Sequence, residues 1–378
     1  MMTLRVVVDQ ILAPVPGGIG RYTEELTKQV ITVAPKGCDV EGIVSAHPQA
    51  DYDRLEDKLP GLASLHRSVL GRRELSLAWQ TGAIGLPGRG MVHGTSLFTP
   101  LYKHDRSLEP GTQTAVTIHD TVPWTHPETL TAQGVRWHKA MTKRAYKYAD
   151  AVVVPTHAVA AQLAEYYDFG DRVRVIGGAV SPDLVVPDDA DEIAELLDLP
   201  ERYALSVGTL EPRKGLEPLL EAMAHPDAPD VPLLVVGPDG WGDVKVDEVV
   251  ARLGLPEGRV RVLGRVPDAA LAVLLQRASV FVYPSLAEGF GLPVIEALSL
   301  GTPVVHSDAP ALVEVSAGAA VVVSRSEGGY PERLAQAMFQ VVNDVELSTR
   351  LGIAGLDRSR AFSWRDSAEK VWQLHADL

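Results

Sequence analysis

The residues best suited to chemistry lie in one stretch, 284–303, which reads PSLAEGFGLPVIEALSLGTP. Two carboxylates, Glu288 and Glu296, flank a loop broken by glycines at 289–291, and Pro293 is placed for the first turn of a helix. Free backbone N–H groups at such a helix start, together with the helix dipole, attract a phosphate or another anion. The stretch therefore predicts an anion site between two acids, which we favour over an ordinary βαβ turn with solvated acids.

A second predicted strand-to-helix turn carries two adjacent cations. The strand 203–207 is followed by the loop GTLEPRKG, which contains Arg213 and Lys214, and then by a helix from about Leu216. A guanidinium fork and an ammonium point charge together suit the many oxygens of a diphosphate. The alternative is a surface Arg-Lys pair, but the acidic sequence around the turn argues against it.

Two histidines lie near predicted strand ends in the first half of the chain. His119 and Asp120 directly follow the strand 114–118, and His93 is predicted to emerge into a loop from the strand 91–94. In open α/β sheets, ligands bind outside the carboxyl ends of the strands. We therefore favour a functional role for His119 and Asp120, although a lone histidine is more often structural.

A glycine-rich loop follows the first predicted strand. Gly17 and Gly18 lie in it, and a helix is predicted from about Arg21 to Val33. The spacing matches neither the dinucleotide fingerprint nor the P-loop. An anion cradle and a plain loop both remain open for this segment.

Alternating strands and helices predict two doubly wound α/β domains, 1–180 and 201–363, joined by a linker rich in Pro and Asp at 181–200. Residues 55–85 are predicted to be mainly helical, and Glu314 is predicted to lie in a loop. Arg67, Arg72 and Arg73 give the 55–85 segment a basic face, which can lie on a membrane but is more often simply solvated. A second basic helix, 135–149, is likewise predicted to be solvated.

The composition and the net charge of the chain exclude several classes of protein. The 378 residues have 46% hydrophobic and 22% charged side chains, as in globular proteins of two domains. A net charge of −14 argues against a general nucleic-acid binder. The single cysteine, Cys38, excludes an internal disulfide, and neither a signal peptide nor a membrane span is predicted. A cytoplasmic enzyme is the default expectation.

These motifs together resemble the retaining glycosyltransferases of family 4. The most specific segments are VGTLEPRKG, RVLGRVPDAAL, YPSLAEGFGLPVIEAL and GTPVV, while GGIGRYT, VHGTSLFTP and IHDTVPWTHPE resemble the subgroup that includes bacterial mannosyltransferases. The resemblance covers nearly the whole chain. It implies the GT-B fold, with two Rossmann-like domains facing each other across an inter-domain cleft that closes over the donor. The first domain would bind the acceptor and could be completed by 364–378, and the second, 201–363, would bind the nucleotide sugar.

The resemblance also implies roles for individual residues. Glu296 would hold the ribose hydroxyls, Glu288 would contact the donor sugar, and Arg213 and Lys214 would neutralise the departing diphosphate. His119 would lie near the anomeric centre. The predicted catalytic residues are therefore His119, Arg213, Lys214 and Glu288, while Glu296 belongs to the donor-binding set. The remaining candidates are the donor-binding residues Gly17, Gly18, Gly208, Arg265, Val266, Phe290, Gly291 and Leu292, and the acceptor-side residues His93 and Asp120.

The expected reaction is transfer of a hexose from GDP-mannose, or next from a UDP-sugar, to a saccharide hydroxyl. We expect retention by front-face attack, because no second carboxylate is placed as a nucleophile. No cofactor or metal is expected, since no carboxylate cluster is visible in the sequence. The open alternatives are a transferase acting on a lipid-linked glycan, a GT-B sugar-nucleotide epimerase and a non-catalytic sensor. Peripheral membrane contact is not favoured, and the sequence does not indicate the oligomeric state.

Overall fold

The computed structural model describes residues 2–85, 90–105, 111–240, 245–326 and 328–378. The chain folds as two compact units. Unit 1 comprises Met1–Gly178 together with Ser363–Leu378, and unit 2 comprises Ala179–Phe362. Within the described ranges, no helix is both long enough and apolar enough to cross a bilayer.

Unit 1 contains a parallel seven-stranded sheet in the order β3-β2-β1-β4-β5-β6-β7. Its inner strands are almost entirely buried, as expected for a sheet covered by helices on both faces. Its strands are β1 Met2–Val7, β2 Cys38–Val44, β3 Ser64–Arg67, β4 Met91–Gly94, β5 Gln113–Thr117, β6 Ala151–Val154 and β7 Val173–Val175. Its first six helices are α1 Gly17–Thr32, α2 Gln49–Lys58, α3 Arg72–Thr81, α4 Val122–Thr125, α5 Ala132–Tyr148 and α6 His157–Ala164.

The prediction that 55–85 is mainly helical is wrong. The segment holds the end of α2, the strand β3 and the helix α3. The chain leaves α2 through a turn at Gly61, which has φ +89°, and Gly71 is the N-cap of α3. Arg67 therefore lies on an edge strand, where it pairs with Glu56 at 2.9 Å, and does not share a helical face with Arg72.

Unit 2 contains a parallel six-stranded sheet in the order β10-β9-β8-β11-β12-β13. Its strands are β8 Ala204–Val207, β9 Leu233–Val236, β10 Val260–Gly264, β11 Val280–Tyr283, β12 Val304–Ser307 and β13 Val321–Val323. Its helices are α7 Ala190–Leu196, α8 Leu216–Ala224, α9 Val246–Leu253, α10 Asp268–Arg277, α11 Leu292–Ser299, α12 Pro310–Ser316, α13 Tyr330–Asn343 and α14 Val345–Ser359.

Three details of unit 2 differ from the sequence predictions. Residues 181–200 belong to unit 2 and include α7, with Leu184 buried in its core, so they do not form an open linker. Glu314 lies in the helix α12 and not in a loop. The helix α14 was not predicted, and it packs on α11 through Gly355, where an added Cβ would lie 2.9 Å from Leu298 Cδ2.

The last helix, α15 Trp364–Asp377, belongs to unit 1 and packs on α1. Trp372 is 8% exposed and donates its indole N–H to Val30 O at 3.0 Å, near the C-terminal end of α1. Ser367 donates to Gly177 O at 2.9 Å. The two segments of unit 1 are thus held together by apolar packing and by hydrogen bonds that include these two.

Trp372→Ala is expected to destabilise unit 1 by about 3–5 kcal/mol, because it leaves a large cavity and removes the hydrogen bond to Val30. Hydrogen–deuterium exchange should rise in peptides of α1 and α15 and stay unchanged in peptides of β8–β13. Gln373→Ala, at an exposed neighbour on the same helix, is the matched control. Equal protection in both variants would show that α15 contributes little to unit 1.

Candidate active site

The candidate site in unit 2 lies at the point where the strand order of its sheet reverses. The chain adds strands on one side from β8 to β10 and on the other side from β11 to β13, so β8 and β11 are neighbours at the switch point. Loops that follow neighbouring parallel strands at such a point form a crevice for ligands. The loops here are 208–215 after β8 and 284–291 after β11. They are the two turns that the sequence singled out.

A glycine lets these two loops touch. Gly215 has φ +68°, and a Cβ there would lie 2.3 Å from Pro284 O, so a side chain would force the loops apart. Arg213 O accepts the Leu286 N–H at 2.8 Å and the Ser285 hydroxyl at 3.1 Å. The backbone of one loop is therefore hydrogen-bonded to the other, which fixes the position of the side chains that they carry.

Glu288 is the centre of a buried cluster. Its Oε1 accepts hydrogen bonds from Lys214 Nζ at 2.7 Å, from Ser285 Oγ at 2.6 Å and from the Tyr283 hydroxyl at 3.0 Å. Its Oε2 lies 3.4 Å from Arg213 NH1. The structure thus brings together three of the four residues that the sequence predicted to be catalytic.

The cluster sets the protonation states of its members. Burial by itself would raise the pKa of Glu288, but the charges of Lys214 and Arg213 and the hydrogen bonds from Lys214 and Ser285 outweigh it and hold that pKa at about 2. Burial lowers the pKa of Lys214, and the Glu288 carboxylate opposes this shift. The result is a carboxylate and two cations held close together in a largely buried position.

Arg213 is oriented by further contacts. Its NH1 donates to Ala287 O at 2.9 Å, and its NH2 pairs with Glu211 at 2.8 Å. It lies in the short 3-10 turn Pro212–Lys214. The guanidinium is thereby directed at the loop 284–291 and away from bulk solvent.

The sequence did not identify two members of this cluster. It indicates only that Tyr283 is a buried strand residue, yet the Tyr283 hydroxyl accepts from Lys214 Nζ at 2.9 Å while it donates to Glu288. Burial raises its pKa well above the ordinary value, so it stays protonated as a donor. The position of Tyr283 as the last residue of a strand, directly before the acid loop, was the signal that could have identified it. Ser285 offered no such signal.

The helix α11 begins beside this cluster. Gly291, with φ +89°, is its N-cap and has no side chain to occupy the first N–H groups. Phe290 is 9% exposed and packs edge-on against Phe362, while Leu292 opens the helix. Glu296 lies one turn later and is 4% exposed. These four predicted donor-binding residues therefore lie at the end of the loop that carries Glu288 or in the helix that follows it.

The other predicted donor-binding residues of unit 2 lie at the same edge of its sheet. Gly208 follows β8, and a Cβ added there would lie 3.7 Å from the Lys214 side chain. Arg265 and Val266 follow β10, two strands away from β8. Arg265 is exposed, whereas Val266 packs against the core.

In unit 1, His119 lies after β5 beside the switch between β1 and β4. Its Nε2 is 2.8 Å from Thr95 O, and because a carbonyl can only accept, Nε2 carries the proton and Nδ1 keeps its lone pair. The ring of Tyr22 meets it edge-on at 4.9 Å. Burial lowers the pKa of His119, against the opposing effect of the Thr95 hydrogen bond, so the imidazole is neutral.

The predicted location of His93 is wrong. It lies inside β4 with no exposed surface, and its Nδ1 is 3.4 Å from Nε2 of His375 on α15. The side chain points to the sheet face where His375 lies, and the strand continues past His93 to Gly94. Burial lowers its pKa to about 4.

The remaining candidates of unit 1 are at its surface. Gly17 and Gly18 are exposed and form the first turn of α1, so they begin the helix instead of forming a loop before it. Asp120 is half-buried, and its Oδ1 accepts the Val122 N–H at 3.1 Å at the start of α4.

Glu288→Gln tests the electrostatics of the cluster. The Glu288 pKa is depressed from 4.5 to about 2, so its stabilisation is complete above pH 4.5 and is lost as the pH falls towards 2. At pH 7 the free energy of unfolding of the variant is expected to be about 3 kcal/mol lower than that of the wild type, because two largely buried cations lose their carboxylate. The difference in unfolding free energy between the wild type and the variant should shrink as the pH falls from 4.5 to 3. Urea unfolding of unit 2 measures it.

Glu257→Gln, at an exposed position of the same unit, is the control and should leave the urea profile unchanged at every pH. A Glu288→Gln variant with wild-type stability at pH 7 would contradict the ion cluster.

The matches to protein-family models follow this architecture. The model described as Glycosyltransferase Family 4 matches residues 16–184, and the model described as Glycosyl transferases group 1 matches residues 188–358. Together they span nearly all of both units. The second match contains the whole Glu288 cluster.

Individual relatives agree with these matches. The O-antigen chain mannosyltransferase B of Escherichia coli is 28% identical over 370 residues, which cover 92% of this chain and 93% of the relative. Sucrose-phosphate synthase from Thermosynechococcus elongatus has a TM-score of 0.78 at 21% identity, covering 100% of this chain and 99% of that one. HepE of Anabaena, in complex with UDP and glucose, has a TM-score of 0.74 at 18% identity, covering 100% of both chains. The chain therefore belongs to the glycosyltransferases of the GT-B fold, with a Glycosyltransferase Family 4 region followed by a Glycosyl transferases group 1 region.

Proposed function

We propose that this glycosyltransferase is a retaining mannosyltransferase. It moves a mannosyl group from GDP-mannose to a hydroxyl of a saccharide acceptor and forms an α-glycosidic bond during oligosaccharide or polysaccharide synthesis. The observation that carries the proposal is the cluster of Arg213, Lys214 and Glu288 at the switch point of unit 2. A UDP-sugar is the second donor candidate, and a lipid-linked glycan is the second acceptor candidate.

The cluster supports this reaction because nucleotide-sugar cleavage generates a diphosphate anion. Arg213 and Lys214 are two cations whose side chains are each 17% exposed, and in such a partly desolvated site electrostatic stabilisation of developing charge is stronger than in water. The N-terminus of α11, with Gly291 as its N-cap, offers backbone N–H groups to the same anion. We infer that the diphosphate replaces Glu288 as the partner of the two cations, and that Glu288 then turns to the donor hydroxyls.

The proposed transfer is a front-face reaction. The bond between the anomeric carbon and the diphosphate oxygen breaks, and the acceptor oxygen forms a bond to that carbon on the same face. The departing phosphate oxygen takes the acceptor's proton. Oε1 of Glu288 accepts three hydrogen bonds, from Lys214, Ser285 and Tyr283, which supports a positioning role over that of a nucleophile.

Mannose is favoured by one specific finding. The O-antigen chain mannosyltransferase B matches this chain over 92% of its length, and it matches both units together. A shared donor would explain the similarity over unit 2, which carries the cluster.

We also propose that no metal is required, since Arg213 and Lys214 supply the positive charge that a divalent ion would otherwise bring. Among the described residues, the one His/Asp/Glu grouping close enough to hold an ion is His225, Asp227 and Glu332. It contains none of the residues of the cluster. Transfer is expected to persist in excess EDTA, and loss of activity that Mg²⁺ or Mn²⁺ restores would refute this part of the proposal.

The donor is tested by incubating the full chain with GDP-mannose, UDP-glucose and UDP-N-acetylglucosamine and a panel of mannosides. Transfer or slow donor hydrolysis is expected with GDP-mannose, and GDP should raise the melting temperature more than UDP because bound ligand stabilises the folded state. Nuclear magnetic resonance of the product should show the α configuration. A β product would refute retention. Turnover with UDP-sugars alone would show that the donor is a UDP-sugar and not GDP-mannose.

Lys214→Ala is expected to lower kcat/KM about 10²–10³-fold, as for the loss of one charge-stabilising group in an active site. Lys245→Ala removes an equivalent charge from an exposed site of unit 2 and should retain wild-type activity. Circular dichroism confirms that both variants are folded. Near-wild-type turnover in Lys214→Ala would remove this residue from the mechanism.

A further inference from the structure

The helix α5 has an unusual charge for this protein. Its 17 residues contain Arg136, Lys139, Lys143, Arg144 and Lys147 and no Asp or Glu, although the chain as a whole carries a net charge of −14. A helix face that is merely solvated usually mixes both signs, because i,i+4 pairs of opposite charge stabilise it. The absence of acids is therefore a feature to explain.

Four of these cations form one stripe. Arg136, Lys139, Lys143 and Lys147 are spaced by three, four and four residues, which places them on one side of the helix. Arg136, Lys143 and Lys147 are exposed, and none of the four has a carboxylate partner within the described ranges. Arg144 differs, because it turns inward to Leu101 O.

The helix α3 lies beside α5. Trp137 of α5 donates its indole N–H to Ser76 of α3 at 2.8 Å. Val7, Val116 and Val152 lie in one row across the sheet of unit 1 and so point to one face. Val7 is in the core beneath α3, and the other two are in the core beneath α5. Both helices therefore cover the same face, and their outer sides point in the same direction.

The outer side of α3 adds a cation and apolar groups. Arg73 is exposed, Leu77 is 59% exposed, and Val69 in the preceding loop is 94% exposed. Next to α5, Trp124 stacks on the 37% exposed Tyr166 at 5.2 Å. We call the combined surface of Arg73, Leu77, Arg136, Lys139, Lys143 and Lys147 the basic face of unit 1.

We propose that the basic face docks unit 1 on an anionic lipid bilayer. Its cations suit headgroup phosphates, because the negative surface potential of an anionic membrane attracts each lysine or arginine that lies near it. Exposed aliphatic groups such as Leu77 and Val69 suit the boundary between headgroups and acyl chains, where Trp and Tyr also lie. A soluble polyanion would use the cations but would leave these apolar groups without a partner. The proposal does not depend on the sugar or the nucleotide.

The experiment measures binding of the full chain to vesicles of pure phosphatidylcholine and of phosphatidylcholine with about 30% phosphatidylglycerol, by co-sedimentation at low and high salt. Binding is expected only to the anionic vesicles and should weaken as salt screens the charges. The double variant Lys143→Glu with Lys147→Glu should bind at least tenfold more weakly. Leu77→Ser should also weaken binding, which a purely ionic contact would not show.

The matched control is Lys245→Glu with Lys370→Glu, which makes the same change in net charge at exposed positions away from α3 and α5. It should bind vesicles like the wild type, and all variants should transfer sugar to a soluble acceptor at the wild-type rate. Equal binding by the Lys143/Lys147 variant and its control would overturn the proposal. Retention on dextran sulfate without vesicle binding would assign the basic face to a soluble polyanion instead.

Discussion

The ion cluster of Glu288 with Lys214 and Arg213 is the interaction on which the proposed donor site depends. Two largely buried cations side by side repel each other, and a buried charge without a partner costs several kcal/mol. Glu288 offsets that cost, and Ser285 and Tyr283 hold it in place. The protein's own groups therefore assemble the cluster. In the proposed reaction, a diphosphate would meet cations that these groups already orient.

This pre-assembly constrains the surrounding fold. The cluster exists only because β8 and β11 are neighbours, and because Gly215 lets their loops approach within hydrogen-bonding distance. The second loop is also held from outside, where Arg325 donates to Leu286 O and pairs with Asp308, and where Tyr330 donates to Pro284 O at 3.1 Å. Elements distant in sequence thus contribute to the position of one carboxylate.

The sequence predicted the two-unit α/β architecture and the residues that meet at the switch point, because strand, glycine turn and helix start follow one another locally along the chain. It did not predict the role of Tyr283, since the contact of its hydroxyl with Lys214 joins residues 69 positions apart. It placed His93 at a strand end because nothing in the local pattern reveals that His375 lies against it. The basic residues of α5 were visible in the sequence, but the position of that helix beside α3 was not, because it depends on the fold. What was missed depends on contacts through space.

The return of α15 to unit 1 has a consequence for the order of folding during synthesis. Leu26 and Val30 of α1 are almost fully buried, and residues 363–378 supply the helix that packs on α1. All of unit 2 leaves the ribosome before those residues do. Unit 2 can therefore complete its core first, while the first 178 residues still lack one of their helices. During synthesis, the apolar side of α1 stays uncovered until α15 has emerged.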